Sequence, residues 1–174
     1  MVPRPRACPR SAIQSLAHDD LAAYYRNRYG IAVDVLPQVP LSGGQMSLLR
    51  RQVVAEELIG LIRTSYPDVA DSTDAAIIGL TTFDMYAYGA STPFVFDWRQ
   101  DGRFAVVSSS HMDPNNYLRP ITPELIRSRV QKMVTRNVGL LLFGLQLNGD
   151  PTSVLSANVS SIEDLDRIGS ELPL

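Results

Sequence analysis

Apolar residues recur along this chain with two periods, one near 3.6 and one near 2, and the switches between them predict an α/β fold. Leu16, Leu21, Tyr24 and Tyr25 make a stripe that predicts a helix over residues 15–29, with Gly30 as its stop. Residues 31–36 alternate apolar with small or polar side chains and predict a strand. A loop with Pro40, Gly43 and Gly44 follows. Val54, Leu58, Leu61 and Ile62 then line one side of a helix expected over 47–64. The apolar run 75–82 predicts a buried central strand, parallel to 31–36 through a right-handed crossover. Runs 94–98 and 104–109 flank Asp101-Gly102, so they are expected to pair as an antiparallel hairpin that extends the sheet toward an edge.

Residues 112–118 read as a loop. Thr122-Pro123-Glu124 then opens a long helix, with a cap residue, a proline at the first helical position and an acid at the positive end of the dipole. Ile126, Val130, Met133, Val134, Asn137 and Leu141 share one face of it. That helix is expected to run to Leu145, with 138–145 as its buried end, and a last short helix is expected over 162–168.

Composition narrows the function classes. The 174 residues carry a net charge of −2, with acids and bases interspersed and no basic stripe, so no nucleic-acid partner is expected. No apolar run is long enough to span a bilayer, and no membrane partner is expected. The single cysteine, Cys8, excludes an intrachain disulfide framework and reads as an incidental thiol. The basic, proline-rich start lacks the apolar run of an export signal. A flexible arm over 1–14, a single domain over 15–174 and a cytoplasmic location are the corresponding expectations; oligomeric state is left open.

Several local runs carry a resemblance. Pro40-Leu41 with Arg51-Gln52, the strand Ile78-Gly79-Leu80-Thr81-Thr82-Phe83-Asp84-Met85-Tyr86, and the hairpin pair Phe94-Val95-Phe96 and Gly102-Arg103-Phe104-Ala105-Val106-Val107-Ser108 resemble segments of the archaemetzincins, which are small zinc-dependent peptidases. Ser161-Ile162-Glu163-Asp164-Leu165-Asp166 resembles a later segment of that family. The resemblance implies a metzincin-like core, a mixed sheet with an antiparallel hairpin at its edge and two long helices. It also places the family's H-E-x-x-H-x-x-G-x-x-H motif on residues 137–147, with Gly144 on the motif glycine. The histidine positions then hold Asn137, Leu141 and Leu147, and the general-base position holds Val138. Leucine has no lone pair for zinc, and valine accepts no proton. A register set on Gly139 instead puts Arg136 and Leu140 at ligand positions. The whole chain has two histidines, His18 and His111, so no three-histidine site is possible in either register. The Met-turn position falls on Leu155, and the first positions of the family's cysteine-bound second zinc fall on Asn148 and Ser153.

The expectation is therefore a protein with no catalytic residues, metal or cofactor, which keeps peptide or protein binding at the hairpin edge through Phe94, Phe96, Phe104, Val106, Ser108 and His111. Two alternatives stand beside it: a hydrolase using His111 with neighbouring Ser or Asp residues, and a structural or assembly protein. Residue by residue, plainer roles are expected. Asn137 reads as a satisfied buried amide, Arg136 as a solvated helix face, His111 as a loop histidine and His18 as helix surface. Asp84, Asp97, Asp101 and Asp113 read as turn formers, since they match no cation-binding loop.

Overall fold

A computed structural model of the chain describes residues 18–112 and 122–174. The expected arm, Cys8, Asp113 and most of the expected 112–118 loop lie outside them. Backbone contacts divide the chain into two units, Met1–Gln38 and Val39–Leu174.

The first unit contains helix α1, His18–Tyr29. Asp19 and Asp20 sit in its first turn and Arg26 and Arg28 in its last, each opposing the local pole of the dipole. Gly30 takes φ +68 and bonds to the Arg26 carbonyl, while Ile31 N–H reaches back to Tyr25, a two-bond stop that the sequence anticipates. The expected strand over 31–36 does not form. Alternation specifies an extended chain with two faces, but only a partner supplies a ladder, and among the described residues these pair with no strand.

The second unit departs from expectation at its start. The segment expected to begin the second helix instead makes a hairpin, β1 (Met46–Ser47) with β2 (Gln52–Val54). Arg51 sits at φ +56, which breaks a helical path, and Val53 and Val54 are buried by parallel pairing with β4 (Met85–Tyr86). Helix α2 therefore begins at Ala55 and runs to Ser65, with Glu56 and Glu57 at its positive end. A short helix α3, Pro67–Ala70, follows.

Strand β3 (Ile77–Thr81) pairs in parallel with β6 (Phe104–Ser108), and β5 (Asp97–Gln100) pairs antiparallel with β6. Sheet order is β3-β6-β5. The central strand is thus β6, buried at every residue, whereas β3, expected in the middle, is an edge among the described residues. The β5–β6 turn carries Asp101 at φ +53 and Gly102 at φ +66, the left-handed pair that the Asp-Gly signal predicts.

Two faces of this sheet are covered. Phe104 and Val106 point into a cluster with Val53, Leu58, Ile59, Ile77 and Met85, on the α2 side. A Cβ on Gly79 would lie 2.6 Å from Ile62 of α2, so the absent side chain is what lets helix and strand approach. Ala105 and Val107 alternate to the opposite face. There helix α4 (Pro123–Leu141) packs against β6 through Val130, Met133, Val134 and Asn137, the face read from the sequence.

Helix α4 stops four residues short of the expected end. Gly144 adopts φ +61 and Leu145 N–H returns to the Gly139 carbonyl, which turns the chain. Leu142 and Phe143 consequently sit at the surface rather than in a buried end. Helix α5, Ile162–Arg167, begins with a reciprocal capping box between Ser161 and Asp164. It is tied to α4 by Arg129, which donates to both Asp166 carboxylate oxygens at 2.7 Å, and by Lys132, which donates to the carbonyls of Leu165 and Asp166.

Candidate functional site

The C-terminal half of α4 faces β5 across a buried polar group. Asn137 is fully buried. Its Nδ2 donates to Asp97 Oδ2 at 2.9 Å and to the Met133 carbonyl at 2.8 Å, and its Oδ1 accepts from Arg99 Nη1 at 3.3 Å. Arg99 also pairs with Asp97. Asn137 is thus the satisfied amide expected from its place on an apolar face, with a strand residue as partner.

Arg136 corrects its expectation. It is 4% exposed, not on a solvated face. Its Nη1 donates to the carbonyls of Ser156 and Val154, and its Nε lies 3.8 Å from Asp97. Burial pushes its pKa down, opposed by Asp97 and assisted by Arg99. The segment beyond α4 folds back over the helix and supplies these carbonyls, which sequence spacing does not show.

The two motif registers rest on two glycines, Gly139 within α4 and Gly144 in the turn beyond it. Gly144 holds a left-handed turn, a conformation that favours glycine. Gly139 is helical, and a Cβ there would lie 2.5 Å from Leu172 and 3.3 Å from Leu155, so its role is packing. In the Gly144 register, buried Asn137 stands at the first ligand position and buried Val138 at the base position. Leu141 is half-buried and Leu147 is 41% exposed. This donor set does not fit zinc: one amide is committed to Asp97, and two side chains have no donor atom. Among the described residues, no three of His, Cys, Asp and Glu come together.

Asn148 and Ser153, where the resemblance puts the family's second metal, make an amide–hydroxyl bond. Asn148 Nδ2 donates to Ser153 Oγ at 3.1 Å. Within the same loop, Asp150 accepts from the Thr152 N–H and hydroxyl, and these bonds hold its carboxyl below its usual range.

His111 lies in the 3-10 turn Ser110–Met112 and is more firmly placed than a loop histidine. Its Nε2 meets Asp84 Oδ1 at 2.9 Å, and its ring stacks on Phe94 at 3.8 Å between centroids. Gln52 Nε2 bonds the same carboxylate oxygen at 3.0 Å. The adjacent hydroxyls turn away: Ser108 Oγ donates to the Phe83 carbonyl at 2.6 Å and Ser109 Oγ to the Thr81 carbonyl. An oriented imidazole is present, but the hydroxyls of Ser108 and Ser109 are bound elsewhere, and among the described residues no hydroxyl is bonded to the ring. The aspartates have separate partners: Asp84 faces His111, Asp97 faces Asn137, and Asp101 pairs with Arg63.

Of the residues expected to bind a ligand, Phe104, Val106 and Ser108 have buried side chains because β6 is the middle strand, and Phe96, which precedes β5, is buried too. Phe94 and His111 are half-buried. What the sheet does offer is backbone. Ser108 N–H bonds to the Phe96 carbonyl, so the alternating antiparallel pattern turns the N–H and C=O groups of Asp97 and Arg99 away from β6, toward the side of β5 that is unpaired among the described residues. Sequence reasoning misses Arg99 here and takes Asp97 for a turn former, whereas Asp97 opens strand β5 and bonds to Asn137. No short-range signal marks them, since their partner Asn137 is forty residues away from Asp97.

Residues 17–171 match the model of peptidase family M54. The archaemetzincin of Methanopyrus kandleri is 28% identical, with a TM-score of 0.72 over 99% of this chain and 93% of that one. The archaemetzincin of Archaeoglobus fulgidus, solved with malonate, is 24% identical, with a TM-score of 0.67 over 90% and 87%. A zinc-dependent peptidase of Methanocorpusculum labreanum shares the fold at 18% identity, with a TM-score of 0.70 over 87% and 86%. No curated protein sequence matches the chain.

Proposed function

Because the chain belongs to peptidase family M54, we propose that it is a non-catalytic member, which holds extended peptide or protein segments along the open edge of β5. The carrying observation is the fate of Asn137: at the first ligand position, it is fully buried and bonded to Asp97 and Met133. Peptide hydrolysis by a zinc enzyme needs a metal-bound water and a base to take its proton. Here the base position is Val138, packed in the core, and the remaining ligand positions are Leu141 and Leu147. Binding needs none of these. A strand added alongside β5 is read by the main-chain groups of Asp97 and Arg99, and that mode is independent of a metal.

The test is metal content and turnover in one preparation. Chelator-free protein should carry no stoichiometric zinc, melt at the same temperature with and without a chelator, and leave a peptide library uncut when zinc is added. Stoichiometric zinc, a fall in melting temperature on chelation and zinc-dependent cleavage would overturn the proposal.

A further inference from the structure

The tip of the β1–β2 hairpin has a composition that folding does not explain. Leu48 is 86% exposed and Leu49 is 96% exposed, the highest values for large apolar side chains among the described residues. The turn closes without their help: Arg51 N–H bonds to the Ser47 carbonyl at 2.7 Å, Arg50 N–H bonds to Ser47 Oγ, and Arg51 supplies the left-handed residue. The register Met46↔Val53 and Ser47↔Gln52 is fixed below the turn. Small polar residues would serve the turn as well, at no cost in solubility. A single exposed leucine needs no explanation, but two adjacent ones at an apex do.

Immediately behind them stand Arg50 and Arg51, both exposed. Between Val39 and Ala55 the sequence holds these two arginines and no acid, in a chain that is negative overall. Among the described residues neither guanidinium is in an ion pair. Arg50 is held over the Tyr86 ring at 4.5 Å. Asp84, which lines a cleft with Arg50, is already engaged by Gln52 and His111.

We propose that this tip docks on an anionic phospholipid surface, with Leu48 and Leu49 entering the acyl boundary and Arg50 and Arg51 meeting the headgroups. The order of chemistry along the turn matches the order of a membrane interface: apolar at the apex, cationic one step behind it. A four-residue apex is far smaller than the roughly 20–30 residues a side of a specific protein interface, whereas a lipid surface requires only depth. Long apolar runs report spanning helices, and no helix among the described residues is long and apolar enough to span. Two residues at a turn leave no trace in such runs, which is why the sequence gives no hint of this contact.

The experiment is co-sedimentation of the full chain with vesicles of phosphatidylcholine alone and of phosphatidylcholine with phosphatidylserine. The expected result is binding to the anionic vesicles that weakens with salt. Leu48→Ser with Leu49→Ser should reduce it at least tenfold, with an unchanged circular dichroism spectrum. Arg50→Gln with Arg51→Gln should abolish the preference for anionic vesicles. As a check that does not remove apolar bulk, Leu49→Trp should show a blue-shifted emission on anionic vesicles relative to the wild-type difference spectrum. Failure of the wild-type chain to bind anionic vesicles would overturn the proposal, and is the outcome expected if the tip docks on a protein instead. Undiminished binding by the double serine variant would overturn it equally, as would an unshifted emission from a Leu49→Trp variant that binds.

Discussion

Asn137 sits where water cannot reach, between a carboxylate and its own helix. An amide there is stable because donors and acceptor are all used; removing it leaves Asp97 short of one donor in a largely buried place. Asn137→Ala should therefore lower stability by about 2 kcal/mol, the range for hydrogen bonds to charged groups, read as a shift in urea midpoint at constant m-value. A variant that unfolds at the wild-type midpoint would show that the Arg99 and Arg136 contacts suffice for Asp97. At this scale the sequence is legible in part. The apolar face of α4 announces that residue 137 is buried, and a buried amide must be bonded, so its role follows. Arg136, one position away, misleads because its compensation comes from Val154 and Ser156 carbonyls, which no local pattern connects to it.

Strand β5 can be tested as an element because its two sides do different things. The N–H of Arg99 faces away from β6, so a proline there spares the ladder while removing a donor on the open edge. Arg99→Ala loses the same side-chain bonds to Asp97 and Asn137 but keeps that N–H. If extended segments bind by edge addition, Arg99→Pro should bind a peptide library at least tenfold more weakly than Arg99→Ala, by fluorescence anisotropy. Equal affinities would place binding elsewhere. The legibility of elements follows the same division between local and distant causes. The start of α4 is written in three consecutive residues and the β5–β6 turn in two. The false start of α2 and the missing strand at 31–36 have another origin. A helical stripe and an alternating run each describe faces, whereas the choice of partner, β4 for Val53 and Val54 and none for 31–36, is made by the rest of the fold.

On the scale of the whole molecule, α5 is held by charge as much as by its own length of six residues. Hydrogen bonds from Arg129 keep the Asp166 carboxyl below its ordinary range; burial opposes this, and the Arg129 and Lys132 charges add to it. A depressed carboxylate contributes stability that is present above its unfolded pKa and lost as pH falls through the folded one. Asp166→Asn should therefore lower the melting temperature at neutral pH, and the gap to wild type should close below about pH 4, the ordinary carboxylate range. A gap that persists at acid pH would mean that the carboxylate's charge is not what binds α5. The fold class was open to reading because its periods are local. The site was open only as a set of absent donors, since the group that fills the space, Asp97 with Arg99, Arg136 and Asn137, assembles from two elements. The same contrast between near and far sets the order in which the chain finds its shape. Asp101 and Gly102, both left-handed, close β5 against β6 within a few residues, while β3 reaches β6 from twenty-seven positions upstream, Ile77 opposite Phe104. Loop closure favours the near pair, so the hairpin is expected to form first, as the template on which the parallel strand is laid.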